Sequence, residues 1–431
     1  MKSPVPNDRV LVDCQMMTPG FATLLADLKT DLTALWTSSS DAFPDFMRSY
    51  TTDQQRSTEE QIRESMWSER EIDPDPDAAA LQLQRLKASV RGFVARSMCE
   101  ELRGETEEML QEFSDAGDEF IRQARDFDPD LSQEDLFQAL RNLWIINSMQ
   151  VGLGVPVGLT PSSLAYSLLY PYSDNLLDNR NLGMETKRDF QRRFRLRLAG
   201  FDATPVSAHE QKIVDLIGMI EGEYPRRDYP EVYASLLAIH AGQERSLSQQ
   251  DDSEHLSSSG ILEISVEKGG ASVLADAFLA KGELQREEAE FAFGYGVFLQ
   301  LIDDLQDTAE DLANCHRTLF TSAATIHQLE EPTNRLLRFI EGVLASFPPT
   351  SAFRGSVMTE LVRRSSWMLV VESVALSPGL YSEVYCSELQ HYSPLAFSCI
   401  RSLREQMQSK RSRLTTMLKN RRFAKVASAH I

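Results

Sequence analysis

The chain has 431 residues, 42% of them hydrophobic and 25% charged, so disordered, collagen-like and small disulfide-stapled proteins are excluded. Acidic residues outnumber basic ones by 64 to 44, and the net charge of −20 argues against a nucleic-acid-binding protein. The five cysteines include no Cys-x-x-Cys pair, which is typical of reduced thiols. No apolar run approaches the roughly 18–20 residues of a membrane-spanning helix, so we expect a cytoplasmic protein.

Helical periodicity runs through most of the chain, whereas alternating β-branched runs are almost absent. In chain order, the spacing of apolar residues predicts helices over 21–32, 81–90, 136–151, 207–221, 231–241, 284–310, 333–344, 354–376 and 396–418. The polar stretch 50–77 is typical of a mobile linker. We therefore predict an all-α fold, with an N-terminal helical extension over 1–130 and a large helical domain over 131–431.

The C-terminal segment 401–431 is unusually basic. It holds nine Lys or Arg and one Asp or Glu, so it carries +8 while the rest of the chain carries −28. Three interpretations stay open: a solvated helical end, a peripheral contact with an anionic membrane, or a cap over a phosphate-bearing site.

The first chemical motif is a pair of aspartates, Asp174 and Asp178, in an otherwise apolar segment. Residues four apart share one face of a helix, and carboxylates in an apolar run need a cation. A metal site is one interpretation. The other is a helix start after Pro171, with Ser173 or Asp174 as the N-cap.

The second motif repeats this spacing at Asp303 and Asp307, with Asp304 between them and Asp311 one turn later. Several acids at the end of an apolar helix are hard to explain as a solvated face, and they predict a metal site. Upstream, Gly294 and Gly296 each cost about 1 kcal/mol inside a helix. Such glycines indicate close helix packing or room for a ligand.

Together the two pairs predict a magnesium-dependent diphosphate site. Mg²⁺ prefers oxygen ligands, takes one or two carboxylates, and fills its shell with water and substrate phosphates. Two helices that each present Asp-x-x-x-Asp would hold a cluster of up to three Mg²⁺ ions around a diphosphate. Ionisation of an allylic C–O bond needs such a site, because negative charge develops on the leaving diphosphate.

The motifs resemble those of a known superfamily. Gly296-x-x-Leu-Gln300-x-x-Asp303-Asp304-x-x-Asp307 is similar to the second aspartate-rich motif of trans-isoprenyl diphosphate synthases, and Glu267-Lys268-Gly-Gly resembles their lysine-containing helix break. Asp174-Asn-Leu-Leu-Asp178 is closer to squalene and phytoene synthases. Over residues 140–330 the chain resembles class I isoprenoid synthases, particularly bacterial large-terpene synthases of class IB. The resemblance implies a helical bundle around a central apolar cavity.

Other parts of that superfamily's pattern are missing. The chain has no Gly-Gly-Lys-x-x-Arg near its N-terminus, its first motif is not Asp-Asp-x-x-Asp, and no Gly-Asp or Gly-Lys follows Asp311. These departures argue against head-to-tail chain elongation.

Two further groups of residues are candidates for the site. Cations are needed on the phosphate oxygens that metal leaves free, and the candidates are Lys268, Arg245, Arg317 and Arg180. Lys268 is expected at a Gly-Gly helix break with free backbone N–H groups. Side chains that either line a hydrocarbon cavity or pack in the core are Tyr166, Tyr170, Tyr295, Phe298 and Gln300.

The sequence thus predicts a Mg²⁺-dependent terpene synthase that ionises a linear C15–C25 prenyl diphosphate and cyclises or rearranges the cation. The metal ligands would be Asp174, Asp178, Asp303 and Asp307, with Asn175, Asp304 and Asp311 in secondary roles. A head-to-head or head-to-tail prenyl transferase is one alternative, and a non-catalytic helical binding subunit is another. Homodimer formation stays open.

Overall fold

The computed structural model describes residues 18–45, 48–67, 102–178, 182–250, 256–324, 329–346 and 353–406, with the isolated positions 88, 91, 92 and 94. Within these ranges every regular element is helical, which confirms the all-α prediction. The helices are α1 (Pro19–Ser38), α2 (Thr52–Trp67), α3 (Arg103–Phe127), α4 (Gln133–Gly152), α5 (Pro161–Asp178), α6 (Met184–Leu198), α7 (Ala208–Glu223), α8 (Pro230–Ser246), α9 (Ser258–Lys281), α10 (Arg286–Gln306), α11 (Thr308–Ala313), α12 (Leu319–Ala323), α13 (Glu330–Ser346), α14 (Phe353–Leu376), α15 (Glu383–Gln390) and α16 (397–406).

Helix α9 lies at the centre of the fold. It packs against α1, α4, α5, α8 and α10, and α10 packs in turn against α13 and α14. Near one end of α9 the Ser162 hydroxyl of α5 donates to the Leu279 carbonyl at 3.2 Å. Near the other end Ser265 of α9 donates to Asp304 of α10 at 3.0 Å. The C-terminal part of α9 thus lies beside the N-terminal part of α5, and the N-terminal part of α9 lies beside the C-terminal part of α10. Helix α9 therefore runs antiparallel to both α5 and α10.

Glycines bring the backbones of α9 and α10 into direct contact. A Cβ atom on Gly296 would lie 2.1 Å from the Gly269 carbonyl oxygen, and one on Gly269 would lie 2.5 Å from the Gln300 Cβ. On another side of α10, a Cβ on Gly294 would lie 2.7 Å from the Val343 side chain. Of the two interpretations of the α10 glycines, the structure supports close helix packing.

The helix break expected at Gly269-Gly270 is wrong. Helix α9 continues through both residues, from Ser258 to Lys281. Glycine lowers helix propensity locally, but here its missing side chain admits α10, and the tertiary packing outweighs the propensity. The free N–H groups expected beside Lys268 are therefore absent, since they lie inside a continuous helix.

The N-terminal helices pack into the same structure as the rest. Trp36 of α1 is buried edge-on against Phe339, with ring centroids 5.7 Å apart, and α1 also contacts α9 and α10. In α2 the Gln55 amide donates to the Gln390 and Ser393 carbonyls at 2.9 Å. The linker prediction for 50–77 is thus wrong over α2. The predicted boundary at residue 130 falls in the turn between α3 and α4.

In the described ranges no helix has the length and apolar character needed to cross a membrane.

The basic C-terminal segment is described only in part. Residues 401–406 are helical, and Arg401 donates to the Ala375 carbonyl at 3.0 Å, whereas residues 407–431 lie outside the described residues. The central apolar cavity and the role of the basic segment stay predictions.

Candidate functional site

Helix α5 carries the first aspartate motif without interruption at Pro171. The Ser173 hydroxyl donates back to the Leu169 carbonyl at 2.9 Å, as it does inside a helix, so the N-cap interpretation is wrong. The side chains of Asp174, Asn175 and Asp178, and the whole of Arg180, lie outside the described residues.

Ser167 shows which side of α5 faces the centre of the fold. Its hydroxyl lies 3.4 Å from the amide nitrogen of Asn142 in α4, and that nitrogen also donates to Asp276 of α9. Positions 174 and 178 follow Ser167 by seven and eleven residues, which places them on the same side of the helix.

The second motif lies at the C-terminal end of α10, where Asp304 is buried. Its two carboxylate oxygens accept hydrogen bonds from Ser265 at 3.0 Å and from Gln300 at 2.8 Å. Burial raises the pKa of Asp304 to about 6, against the opposing influence of Gln300, Lys268 and Ser265. Gln300, predicted to line the cavity, donates to the motif itself.

The other acids of this motif crowd one another around the turn into α11. Partial desolvation, and then the negative charges of Asp303, Asp311 and Glu310, raise the pKa of Asp307 to about 6. Arg141 of α4 lowers that pKa, and His316 bonds to Asp311 at 3.2 Å. The cluster therefore has an excess of negative charge, which a bound cation would relieve.

The oxygen-only donor set suits a hard cation such as Mg²⁺. In the part of the chain that the structure describes, no three His, Cys, Asp or Glu side chains are arranged to hold one metal ion. Mg²⁺ usually takes only one or two protein carboxylates and completes its shell with water and phosphate oxygens. Asp303 and Asp307 fit that pattern, and the side chains of Asp174 and Asp178 lie outside the described residues.

Lys268 lies beside the second motif. It is half-buried on α9, three residues after Ser265, and its charge acts on Asp304. A Cβ on Gly242 of α8 would lie 3.1 Å from the Lys268 Cα, so α8 and α9 are in close contact at this residue. The backbone that carries the ammonium group is therefore held on two sides, by α8 and by α10.

The two arginines predicted to bind diphosphate are engaged by protein groups. Arg245 pairs with Glu263 at 3.0 Å and with Glu267 at 2.5 Å. The guanidinium of Arg317 donates to the Ser248 carbonyl at 2.7 Å, at the end of a 3₁₀ turn. Both guanidinium groups bridge neighbouring segments of the fold.

The predicted aromatic residues lie in the interior. Tyr166 is buried and Tyr170 half-buried on α5, while Tyr295 and Phe298 are buried on α10 with ring centroids 4.9 Å apart. Burial raises the pKa of Tyr295 to about 12, so the phenol stays neutral at physiological pH. These contacts agree with core packing and with a cavity wall alike, so the lining role stays a prediction.

A cavity of about 490 Å³ opens on a different side of α5. Tyr172 lines it, and its hydroxyl donates to Asp128, which also pairs with Lys212 at 2.6 Å. His209, in the same wall, bonds to the Tyr172 carbonyl at 2.7 Å. None of the described predicted site residues lines this cavity.

Sequence reasoning missed three groups near the site: Ser265, Arg141 and Asp276. No local sequence pattern indicates a role for Ser265 or Arg141, because only the packing of helices brings them to the motif. The sequence does indicate a role for Asp276, which stands alone in the apolar run Leu274-Ala-Asp276-Ala-Phe278. A carboxyl in such a run needs a partner, as was argued for Asp174.

The raised pKa of Asp304 predicts a pH dependence of stability in the metal-free protein. An aspartate in an unfolded chain has a pKa of about 3.9. Between that value and about 6 the folded state keeps a proton that the unfolded state has lost, so the free energy of unfolding falls as pH rises. In wild-type protein, Asp304 should lower the free energy of unfolding by about 3 kcal/mol as the pH rises from 4 to 7. Asp304→Asn should abolish this decrease.

Urea unfolding at several pH values, with chelator present, measures this difference. The exposed control Asp215→Asn should keep the wild-type profile. If Asp304→Asn and wild-type protein lose stability equally over this pH range, Asp304 is not held in a desolvated site.

Compared with known proteins, the chain matches no family model, no curated protein and no solved structure.

Proposed function

We propose that the protein is a Mg²⁺-dependent class I terpene synthase, which releases diphosphate from a linear prenyl diphosphate and rearranges the resulting allylic cation. The observation that carries the proposal is the acidic cluster at the end of α10. Partial desolvation, and then the negative charges of the neighbouring acids, raise the pKa of Asp307, and Lys268 lies beside the cluster. A cluster of acids with Lys268 and Arg141 beside it is suited to bind an anionic substrate through metal ions.

Different residues of the chain would bind the two ends of the substrate. Asp303 and Asp307, with Asp174 and Asp178 on α5, would hold Mg²⁺, and Lys268 would contact a phosphate oxygen. When bound, the metal would offset the negative charge that develops on the departing diphosphate. The buried side chains of α5 and α10 would surround the hydrocarbon and exclude water, which would otherwise trap the cation early.

Ser265 and Gln300 would position the motif and not touch the substrate. Both donate to Asp304, so this carboxylate is held against α9. Asp303 and Asp307 follow on the exposed side of the same turn. The buried acid would therefore anchor the end of α10 while its two exposed neighbours bind metal.

The direct test is incubation of the purified chain with Mg²⁺ and farnesyl, geranylgeranyl or geranylfarnesyl diphosphate. Release of diphosphate, with a hydrocarbon or alcohol of unchanged carbon number, supports the proposal. A product with twice the carbon number indicates head-to-head coupling instead. No turnover with any of the three contradicts an enzyme of this class.

A comparison of two cations tests which one binds diphosphate. Lys268→Met should raise KM or lower kcat so that kcat/KM falls at least about 10-fold, since a charge-assisted contact with the leaving group is lost. Arg245→Met should change kcat/KM much less, because Glu263 and Glu267 already engage that guanidinium. Steady-state kinetics of the two variants measures the contrast, and equal losses would contradict the assignment of Lys268.

A further inference from the structure

One carboxyl group deep in the fold is not used by the proposed metal site. Asp276 of α9 is completely buried. Its Oδ1 accepts a hydrogen bond from the Asn142 amide at 3.2 Å, whereas Oδ2 has no partner among the described residues. Burial raises the pKa of this carboxyl well above its ordinary value, so it is a neutral acid. Since Oδ1 accepts, the proton belongs on Oδ2.

Such an arrangement is costly if it is only structural. A buried polar group without a partner costs about 1–3 kcal/mol, and an apolar residue of similar size would avoid that cost. The surroundings are otherwise apolar on α9, where Leu274, Ala275, Ala277 and Phe278 are all buried. An O–H group without an acceptor among the described residues is available to a ligand that brings electron density of its own.

Residues of three helices, α9, α10 and α5, lie at the same depth in the fold as the Asp276 carboxyl. On α9, Asp276 lies eight residues beyond Lys268, about 12 Å along the helix. On α10, Tyr295 lies eight residues before Asp303, again about 12 Å, and it is close enough to Asp276 for that carboxyl, when ionised, to raise its pKa. On α5, Ser167 lies seven residues before Asp174, about 10 Å. Because α9 is antiparallel to the other two, all three distances run in the same direction, away from the predicted diphosphate end.

A diphosphate held at Lys268 and Asp303 would therefore leave the hydrocarbon, and not the charged group, at the depth of Asp276. The Asn142 amide nitrogen joins this layer, since it lies 3.4 Å from the Ser167 hydroxyl as well as 3.2 Å from Asp276. At this depth the neutral acid Asp276, whose Oδ1 already accepts a hydrogen bond from Asn142, lies beside the expected position of the carbon chain.

Building on the proposed function, we infer that Asp276 donates a proton to a double bond of a neutral cyclic intermediate and later takes one back. In the first step the π electrons form a C–H bond, the Oδ2–H bond breaks, and a tertiary carbocation and a carboxylate result. In the second step a C–H bond next to the cation breaks, its electrons form a new double bond, and the carboxylate regains a proton. The neutral intermediate itself forms when the first cyclic cation loses a proton to the released diphosphate, because Asp276 is protonated at that stage. No oxidant or reductant is needed, and Asn142 stabilises the Asp276 carboxylate between the two steps.

The test is turnover in D₂O. Asp276 exchanges its proton with solvent between turnovers, so wild-type product should carry one deuterium bound to carbon, located by mass spectrometry. Asp276→Asn should give product without deuterium, enriched in a less cyclised olefin. The exposed control Asp215→Asn should keep the wild-type deuterium content. Deuterium-free wild-type product, or full labelling in Asp276→Asn, overturns the inference.

Two results separate this inference from the proposed function. If wild-type protein releases no diphosphate, the proposed function itself fails; if it does and the product is unlabelled, only the role of Asp276 fails. Infrared spectroscopy of the substrate-free protein gives a second readout, because a neutral carboxyl shows a C=O band that Asp276→Asn should lack. Absence of that band in wild-type protein also overturns the inference, even where the variant does not fold.

Discussion

Replacement of Asp303 by asparagine should lower the rate of diphosphate release at least about 100-fold, the cost of removing one electrostatic partner of a developing charge. Asp303 is exposed at the end of α10, so the variant should fold. The expected loss comes from the carboxylate that we propose binds metal, and not from the structure around it. Release of inorganic diphosphate from a prenyl diphosphate at saturating Mg²⁺ measures the change.

A matched variant tests whether the position matters or only the charge. Glu310→Gln removes a carboxylate that also acts on Asp307, one turn beyond the motif. It should reduce the rate only a few-fold, because Glu310 is not part of the repeated Asp-x-x-x-Asp spacing. A readout without turnover is the rise in Tm on adding Mg²⁺ and inorganic diphosphate, which wild-type protein should show and Asp303→Asn should lose. Full turnover in Asp303→Asn would refute the metal assignment.

Replacement of Gly296 by alanine should lower the free energy of unfolding by about 3 kcal/mol. The new Cβ would lie 2.1 Å from the Gly269 carbonyl oxygen. That oxygen belongs to the backbone of a continuous helix, so it cannot rotate away as the end of a side chain could. The two helices would have to move apart, and the packing around Phe293 and Gln300 would loosen with them. Urea unfolding measures the loss.

Gly218→Ala in α7 is the control for Gly296→Ala. A Cβ there has nothing within 4 Å, so the variant should be stabilised by about 0.5–1 kcal/mol through helix propensity. Opposite signs for the two substitutions would show that the close contact, and not the loss of glycine as such, decides the effect. A Gly296→Ala variant as stable as wild-type protein would contradict the contact between α9 and α10.

Helices and the second motif could be predicted because their signals are local. Apolar residues at helical spacing predicted the core of α4, α7, α8, α10, α13 and α14, and the Asp303–Asp307 pair stands out in the printed sequence. The length of α9 was not predictable in the same way. A Gly-Gly pair disrupts a helix considered alone, and only the neighbouring α10 shows why two glycines are needed there.

The partners of individual side chains were beyond sequence reasoning. Arg245 and Arg317 were predicted to bind diphosphate as cations, yet one pairs with glutamates of α9 and the other donates to a carbonyl within a 3₁₀ turn. Such partners depend on how helices cross, which no local pattern records. Asp276 is different, because the rule that a carboxyl in an apolar run needs a partner applied to it as directly as to Asp174.

The backbone contact between Gly269 and Gly296 has a consequence for affinity. It joins the helix that carries Lys268 to the helix that carries Asp303, so these two groups keep their separation whether or not a ligand is present. If the proposed site binds Mg²⁺ and diphosphate, the backbones on the α9 and α10 side are already in place, so binding there loses less conformational entropy. Substitutions that widen this contact should weaken Mg²⁺–diphosphate binding while every side chain that touches the ligand is kept.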